Sequence, residues 1–150
     1  MLFRSDRAAA LASELGAKQV AADAIMAVSC DVFSPNALGA VLDDAGIARL
    51  DTPIVAGGAN NQLARPEHGA ALAARGILYA PDYVINAGGI ISVTLEYLAR
   101  EQGSPCDINE VRSRLAQIPG RLETIWRESD ASGVSADVVA DRMAQKLIGR

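Results

Sequence analysis

Residues 54–63, IVAGGANNQL, set an apolar run against two glycines and two asparagines. The run reads as the end of a buried strand, and the Gly-Gly and Asn-Asn pairs as the loop that follows it. The same arrangement occurs twice more. In residues 29–50, SCDVFSPNALGAVLDDAGIARL, a strand through residues 31–33 is followed by a turn at Ser34, Pro35 and Asn36 and then by helical sequence to about Leu50. In residues 76–89, GILYAPDYVINAGG, a strand over residues 77–79 leads through a loop into a helix through ISVTLEYLAR. Between the second and third strands, Pro66 opens a helix that closes near Gly76, since proline is tolerated in a first turn whose N–H has no helical partner. Short, near-continuously apolar strands alternating with helices are the pattern of an α/β fold with a parallel sheet buried between helices.

Outward from these repeats, Ser5 is placed to cap a helix over residues 6–15, with Ala8, Leu11, Ala12 and Leu15 on one face and Gly16 past its end. Val20 and Ala21 form a short apolar pair. Towards the C-terminus GSPCD reads as a linker, and Asp107 with Glu110 has capping-box spacing for a helix interrupted at Pro119 and Gly120. A final amphipathic helix starts at about Ala136, capped by Ser135.

The bulk numbers bound the function. At 150 residues one domain is expected, and half the residues are hydrophobic while only 4% are aromatic, so the core is built from Ala, Leu, Ile and Val. A formal charge of -4 with no basic run argues against a nucleic-acid surface, which needs clustered positive charge. No apolar segment approaches the ~20 residues a membrane span requires, and charges in MLFRSDRAAALASELGA sit where a signal peptide needs its apolar core. A cytoplasmic protein with no membrane partner is expected. Cys30 and Cys106 lie far apart, and with one histidine a zinc site is short of ligands, so no metal is expected.

Ligands of open parallel sheets bind beyond the carboxyl ends of the strands. FSPNA, AGGANNQ and PDYVINAGG each follow a strand, so they converge on one edge. Glycine permits close backbone approach, and asparagine offers a neutral donor and acceptor. Such loops suit an amide, a ribose or an amino-acid carboxylate, although any one of them alone is ordinary turn chemistry. The single histidine, His68, has no evident partner and reads as a solvated surface residue. Asp43 and Asp44 read as a solvated helix face. Tyr79, Tyr83 and Trp126 read as core or edge residues.

CDVFSPNALGAVL, IVAGGANNQL and GILYAPDYVINAGGIISV, in this order and spacing, closely resemble the nucleotide-binding domain of the leucine, phenylalanine and valine dehydrogenases. The strong likeness runs over residues 30–93, with a looser one reaching ADRMAQKLIG and Phe3. Glutamate dehydrogenases look like GANGPT where this chain has GANNQL, so the resemblance favours an apolar substrate. It implies a C-terminal NAD-binding domain of Rossmann type over residues 1–150, with residues 107–150 as a helical extension within it. It also implies reversible oxidative deamination of an apolar L-amino acid, in which a hydride passes to the nicotinamide ring and the imine is hydrolysed to a 2-oxo acid and ammonia. By the same resemblance Ser34, Pro35, Asn36 and Ala37 face the cofactor, and Ala59, Asn60, Asn61 and Asn86 surround the nicotinamide and its ribose. Asn61 also reaches the substrate, while Ile90 and Val93 line the pocket for its apolar side chain.

Where the chain departs from the family, the resemblance implies losses. The family's substrate domain and catalytic lysines are not matched, since the only lysines are Lys18 and Lys146, and no G-x-G-x-x-G occurs for the pyrophosphate. The acidic residue of the next strand is also unmatched, the N-terminus Met1-Leu2-Phe3 falling at about that point. In the strand order 3-2-1-4-5-6, strands 3 to 6 are expected near Val20, Asp31, Ile54 and Ile77, with strands 1 and 2 missing. That leaves a partial parallel sheet with C-terminal helices, and the segment before Cys30 loosely docked or repositioned. The expected activity is an oxidoreductase function that this chain does not perform alone. The alternatives are one half of a split enzyme, completed by a substrate domain in trans, and a non-catalytic nucleotide-binding or interaction module. No oligomeric state is implied.

Overall fold

Residues 32–33, 54–55 and 78–79 are the three strands of one sheet, covered on one face only: Phe33, Val55 and Tyr79 turn to the core, while Val32 and Leu78 on the other face are exposed, so the expectation of a sheet buried between helices on both sides needs correction. The computed structural model describes residues 5–149. Its strands β1 (Val32–Phe33), β2 (Ile54–Val55) and β3 (Leu78–Tyr79) are all parallel and lie in the order β1-β2-β3. Val32 pairs with Ile54 and Ile54 with Leu78, so the three strands end level with one another. That register brings the three following loops to one edge.

Parallel neighbours need crossover connections, supplied here by α2 (Asp44–Arg49) and α3 (Glu67–Ala74). Leu42, Ile47, Leu50, Val55, Leu72, Ile77 and Tyr79 form the core between these helices and the sheet, joined by Met26 and Phe33. Burying one such aliphatic side chain stabilises by about 1.5–3 kcal/mol. A second core, around Ala80, Val84, Leu122, Ile125, Val139 and Ala140, attaches the C-terminal helices. These are α7 (Ile118–Ser132) and α8 (Ala136–Leu147), which follow α4 (Asp82–Ile85), α5 (Gly88–Glu101) and α6 (Ile108–Leu115), the last packed on α5. α7 packs on both α4 and α8, and α8 also meets α3. The indole N–H of Trp126, on α7, donates to the Tyr79 carbonyl at 2.8 Å and so caps the outer side of β3.

Most helix boundaries follow the signals in the sequence. Asp107 accepts from the Asn109 N–H as the N-cap of α6, and the break falls just ahead of Pro119, which sits in the first turn of α7. α1 (Ser5–Leu15) ends at Gly16 with φ of +62. Three further expectations need correction. No strand forms at Val20, because residues 17–21 find no ladder partner among the described residues. The helix after β1 begins only at Asp44, because residues 40–42 are drawn into bonds with residues 61–64: the Ala40 N–H donates to the Asn61 carbonyl, and Leu42 bridges Leu63. Ser135 stands at the α8 N-cap position but its side chain makes no capping bond. Asp43 and Asp44 are exposed, as expected, and Asp43 in addition caps α2 by accepting from the Gly46 N–H at 2.7 Å.

His68 is the largest correction, for it is 1% exposed rather than solvated. Its Nδ1 accepts the Arg65 N–H at 3.0 Å and its Nε2 lies 3.3 Å from Asp44 Oδ1. The bond to Nδ1 leaves Nε2 as the protonated nitrogen of the neutral ring, donating to Asp44. Asp44 Oδ2 meanwhile accepts from Arg65, whose Nε reaches Glu67. Arg75 adds bonds to the Ile47 and Leu50 carbonyls. These contacts join the start of α2 to the start of α3, and the end of α3 to the end of α2.

The hydrogen bond and charge of Arg65 hold the Asp44 carboxyl below its ordinary value of 3.8. A carboxyl depressed in the folded state contributes stability above its unfolded value and loses it as pH falls through the folded one. Asp44→Asn should therefore flatten the acid limb of stability below about pH 4, read as urea midpoint against pH. The N-terminal segment yields a second expectation. Leu11 and Leu15 are 53% and 68% exposed, whereas Met26 packs on the core and Arg49 bonds the Asp23 carbonyl. Amide exchange at Leu11 and Leu15 should be much faster than at Ile54, and equal protection would show that α1 is docked.

Candidate functional site

The loops after β1 and β2 touch through their backbones. Pro35 O accepts the Ala59 N–H at 2.9 Å, and Asn36 Oδ1 accepts the Gly58 N–H at 2.8 Å. The Asn36 amide in turn donates to the carbonyl and hydroxyl oxygens of Ser34. A Cβ on Gly57 would lie 2.2 Å from Pro35 O, so only glycine permits this approach.

The loop after β3 closes on the same turn. Asn86 Nδ2 donates to Asn60 Oδ1 at 2.6 Å and, more weakly, to the Gly58 carbonyl at 3.4 Å. This arrangement leaves Asn60 Nδ2 and Asn86 Oδ1 without partners among the described residues, a neutral donor beside a neutral acceptor. Gly58, Asn60, Tyr83, Asn86, Gly89 and Ile90 line the resulting cleft of about 390 Å³. Burial, and then the Asp141 carboxylate that its hydroxyl bonds at 2.6 Å, raise the Tyr83 phenol well above its ordinary 10.0. The phenol therefore stays protonated. The lining of this cleft carries no formal charge.

The residues singled out in the sequence divide among three places. Asn60, Asn86 and Ile90 meet at the neutral cleft, with Ala59 buried beneath them. Ser34, Pro35, Asn36 and Ala37 line an adjoining cleft of about 530 Å³, whose other walls are largely apolar: Ile25, Met26, Phe33, Leu38 and Val41. Asn61 is separated from Asn60. It has φ of +52, its N–H donates to Asp82 Oδ2 at 2.6 Å, and it lines a third cleft of about 270 Å³ with Tyr79, Asp82 and Asp137. Ile90 is 67% exposed at the cleft mouth, whereas Val93, 61% exposed, stands one turn further along α5 and does not line the cleft.

Two residues of the site carry no signal in the sequence. Gln62, fully buried, donates from Nε2 to the Gly57 and Ala59 carbonyls at 2.7 and 2.9 Å. Asp82 links Asn61 to Tyr79, whose hydroxyl it accepts at 3.3 Å. Only the position of Gln62 next to the Gly-Asn loop could have marked it. Among the described residues no helix is long and apolar enough to cross a membrane, and no group of three or more His, Cys, Asp or Glu is arranged to hold a metal.

The sequence profile of the Glutamate/Leucine/Phenylalanine/Valine dehydrogenase family matches residues 4–147. The chain belongs to this family. It is 41% identical over 135 residues to a leucine dehydrogenase of Thermoactinomyces intermedius, covering 90% of this chain and 35% of that protein. It is 52% identical over 129 residues to a phenylalanine dehydrogenase of Caldalkalibacillus thermarum, covering 86% of this chain and 33% of that protein. The chain thus spans about a third of the length of these curated relatives. The crystal structure of L-tryptophan dehydrogenase from Nostoc punctiforme superposes with a TM-score of 0.88 at 35% identity, over 97% of this chain and 42% of that one. Its agreement covers the three-stranded parallel sheet and helices of a partial Rossmann-type α/β fold.

Substituting Gly57 tests the contact on which the site is built. Gly57→Ala should destabilise by roughly 1–3 kcal/mol, as overpacking against rigid backbone does. Gly120→Ala in α7, where an added Cβ meets nothing within 4 Å, should be neutral or stabilising. Urea midpoints of the two variants make the comparison.

Proposed function

We propose that this chain is the nicotinamide-binding part of an NAD-dependent dehydrogenase of apolar L-amino acids. The observation that carries the reading is the Asn60–Asn86 amide pair, held across the ends of β2 and β3 with one donor and one acceptor unused. A primary carboxamide such as that of nicotinamide presents the complementary acceptor and donor. The bare backbone at Gly57 and Gly58 and the uncharged lining also fit a flat, neutral ring with its ribose. The NAD nicotinamide, when bound, supplies the two-electron acceptor.

The chain's own residues would bind and orient. Asn60 and Asn86 would hold the carboxamide and ribose hydroxyls, with Ala59 forming the floor. Ser34, Pro35, Asn36 and Ala37 would face the cofactor from the adjoining cleft. Ile90 and Val93 would give α5 an apolar wall for the substrate side chain, and Asn61 a polar contact beside it. Val93 and Asn61 both lie outside the neutral cleft, Asn61 in the cleft beside Asp82.

Catalysis needs a base for the amino group and electrostatic stabilisation of the developing imine. No lysine lines any of the three clefts, and the 150 residues contain no G-x-G-x-x-G. The proton transfers and the pyrophosphate contacts would therefore come from outside these residues, with a substrate domain completing the enzyme. The absence of a lysine from the clefts also favours a second reading, a nucleotide-binding module without catalysis. Addition of a relative's substrate domain with NAD and leucine should restore NADH formation if the first reading holds, and leave none if the second does.

Binding itself is tested by titrating the chain with nicotinamide mononucleotide. Asn86→Leu, which removes one hydrogen bond and strands its partner, should weaken the complex by about 1–2 kcal/mol, roughly five- to thirtyfold. Equal affinity in the variant would remove the amide pair from the site.

A further inference from the structure

Among the described residues, Gln62 is the only fully buried polar side chain that touches the turn carrying the neutral cleft. We infer that Gln62 is a positioning residue: its buried amide shapes the turn at residues 57–59 so that Asn60 meets Asn86. The consequence for ligand binding rests on the nicotinamide reading above, whereas the geometric part does not.

The orientation of the amide follows from its surroundings. Nε2 lies 2.7 Å from the Gly57 carbonyl and 2.9 Å from the Ala59 carbonyl. The reversed amide would set Oε1 against two acceptors, so nitrogen must face the turn. Oε1 is left buried without a partner among the described residues. As space filling alone, a methionine of similar length would serve without an unmet acceptor. What the amide adds is the pair of donated bonds.

Those bonds set the direction of each peptide in the turn. The Gly57 and Ala59 carbonyls turn inward onto Gln62, while the intervening Gly58 carbonyl faces Asn86 Nδ2 at 3.4 Å and its N–H meets Asn36. Asn60 follows directly, with its Oδ1 2.6 Å from Asn86 Nδ2. The left-handed Asn61 then reverses the chain, allowing Asn60 to stay at the surface while Gln62 points into the core. Gln62 is itself fixed from behind, where its carbonyl accepts the Leu42 N–H at 3.0 Å beside the Leu42–Leu63 bridge. The side chain therefore transmits the rigidity of the core to the exposed amide pair.

The test is Gln62→Met in the full chain, isotopically labelled for NMR. The expected result has three parts. Methyl signals of Ile125 and Val139 in the second core stay in place, the Asn86 side-chain amide loses its hydrogen-bonded shift, and nicotinamide mononucleotide binds about tenfold more weakly. A merely structural glutamine would lower the urea midpoint and leave the Asn86 signal and the affinity unchanged, which would overturn the inference. If the unmutated chain binds no mononucleotide, the nicotinamide reading fails, and the Asn86 signal still decides the role of Gln62. If Gln62→Met does not fold, the unmutated chain decides. Couplings through the hydrogen bonds from Gln62 Nε2 to the Gly57 and Ala59 carbonyl carbons, with an Asn86 amide exchanging as slowly as that of Gln62, support the inference. Absent couplings overturn it.

Discussion

The site depends on one close approach, that of the Gly57 backbone to Pro35. An added Cβ would lie 2.2 Å from the Pro35 oxygen, inside any tolerable contact, so the two loops abut as bare main chain. The contact is then fastened on either side, by the Ala59 N–H on Pro35 and the Gly58 N–H on Asn36. Because the strands end in register, the segment after β3 joins this unit through two side chains, Asn86 on Asn60 and Asp82 on the Asn61 N–H. Three loops that would each be an ordinary turn become a shared surface. Its hydrogen-bonding groups are neutral, which suits a ligand recognised by amide and hydroxyl geometry rather than by charge.

Beneath that surface, the crossover helices pack on the sheet through Ile47, Leu50 and Leu72, and polar contacts supplement this core. His68 and Asp44 tie α3 to α2 at one end, and Arg75 ties them through the Ile47 and Leu50 carbonyls at the other. Buried polar groups stabilise only when their hydrogen bonds are made, and breaking one partner costs more than the bond contributes. The two crossover helices are therefore held in place by contacts that leave little freedom to slide, and the loops they follow inherit that rigidity.

Much of this was legible in the sequence, for identifiable reasons. Strand positions followed from short apolar runs ending in Gly, Asn and Pro, and the convergence of FSPNA, AGGANNQ and PDYVINAGG followed from the parallel order those runs imply. Asp107 and Gly16 marked helix ends through local chemistry. What escaped was non-local. The environment of His68 depends on Asp44, 24 residues earlier. The late start of α2 depends on residues 61–64 reaching back to residues 40–42. Val20 looks like a strand residue, yet a strand exists only where a partner offers a ladder. Gln62 reads as a polar loop residue until the left-handed turn at Asn61 sends it inward. Asn61 reads as a twin of Asn60, and the same turn takes it to a different cleft.

Membership of the amino-acid dehydrogenase family and the geometry of the amide pair bear on different parts of the account. The first concerns a protein about three times the length of the chain's match, and the second concerns a surface these residues build by themselves. The most direct measurement is backbone amide shift mapping of the chain titrated with nicotinamide mononucleotide. The account predicts saturable shifts at Gly58, Asn60, Asn86 and Gly89, with smaller ones at Ser34 and Asn36. Shifts confined to Cys30, Asp31, Asp51 and Thr52, which line a cleft at the opposite ends of the strands, would contradict it.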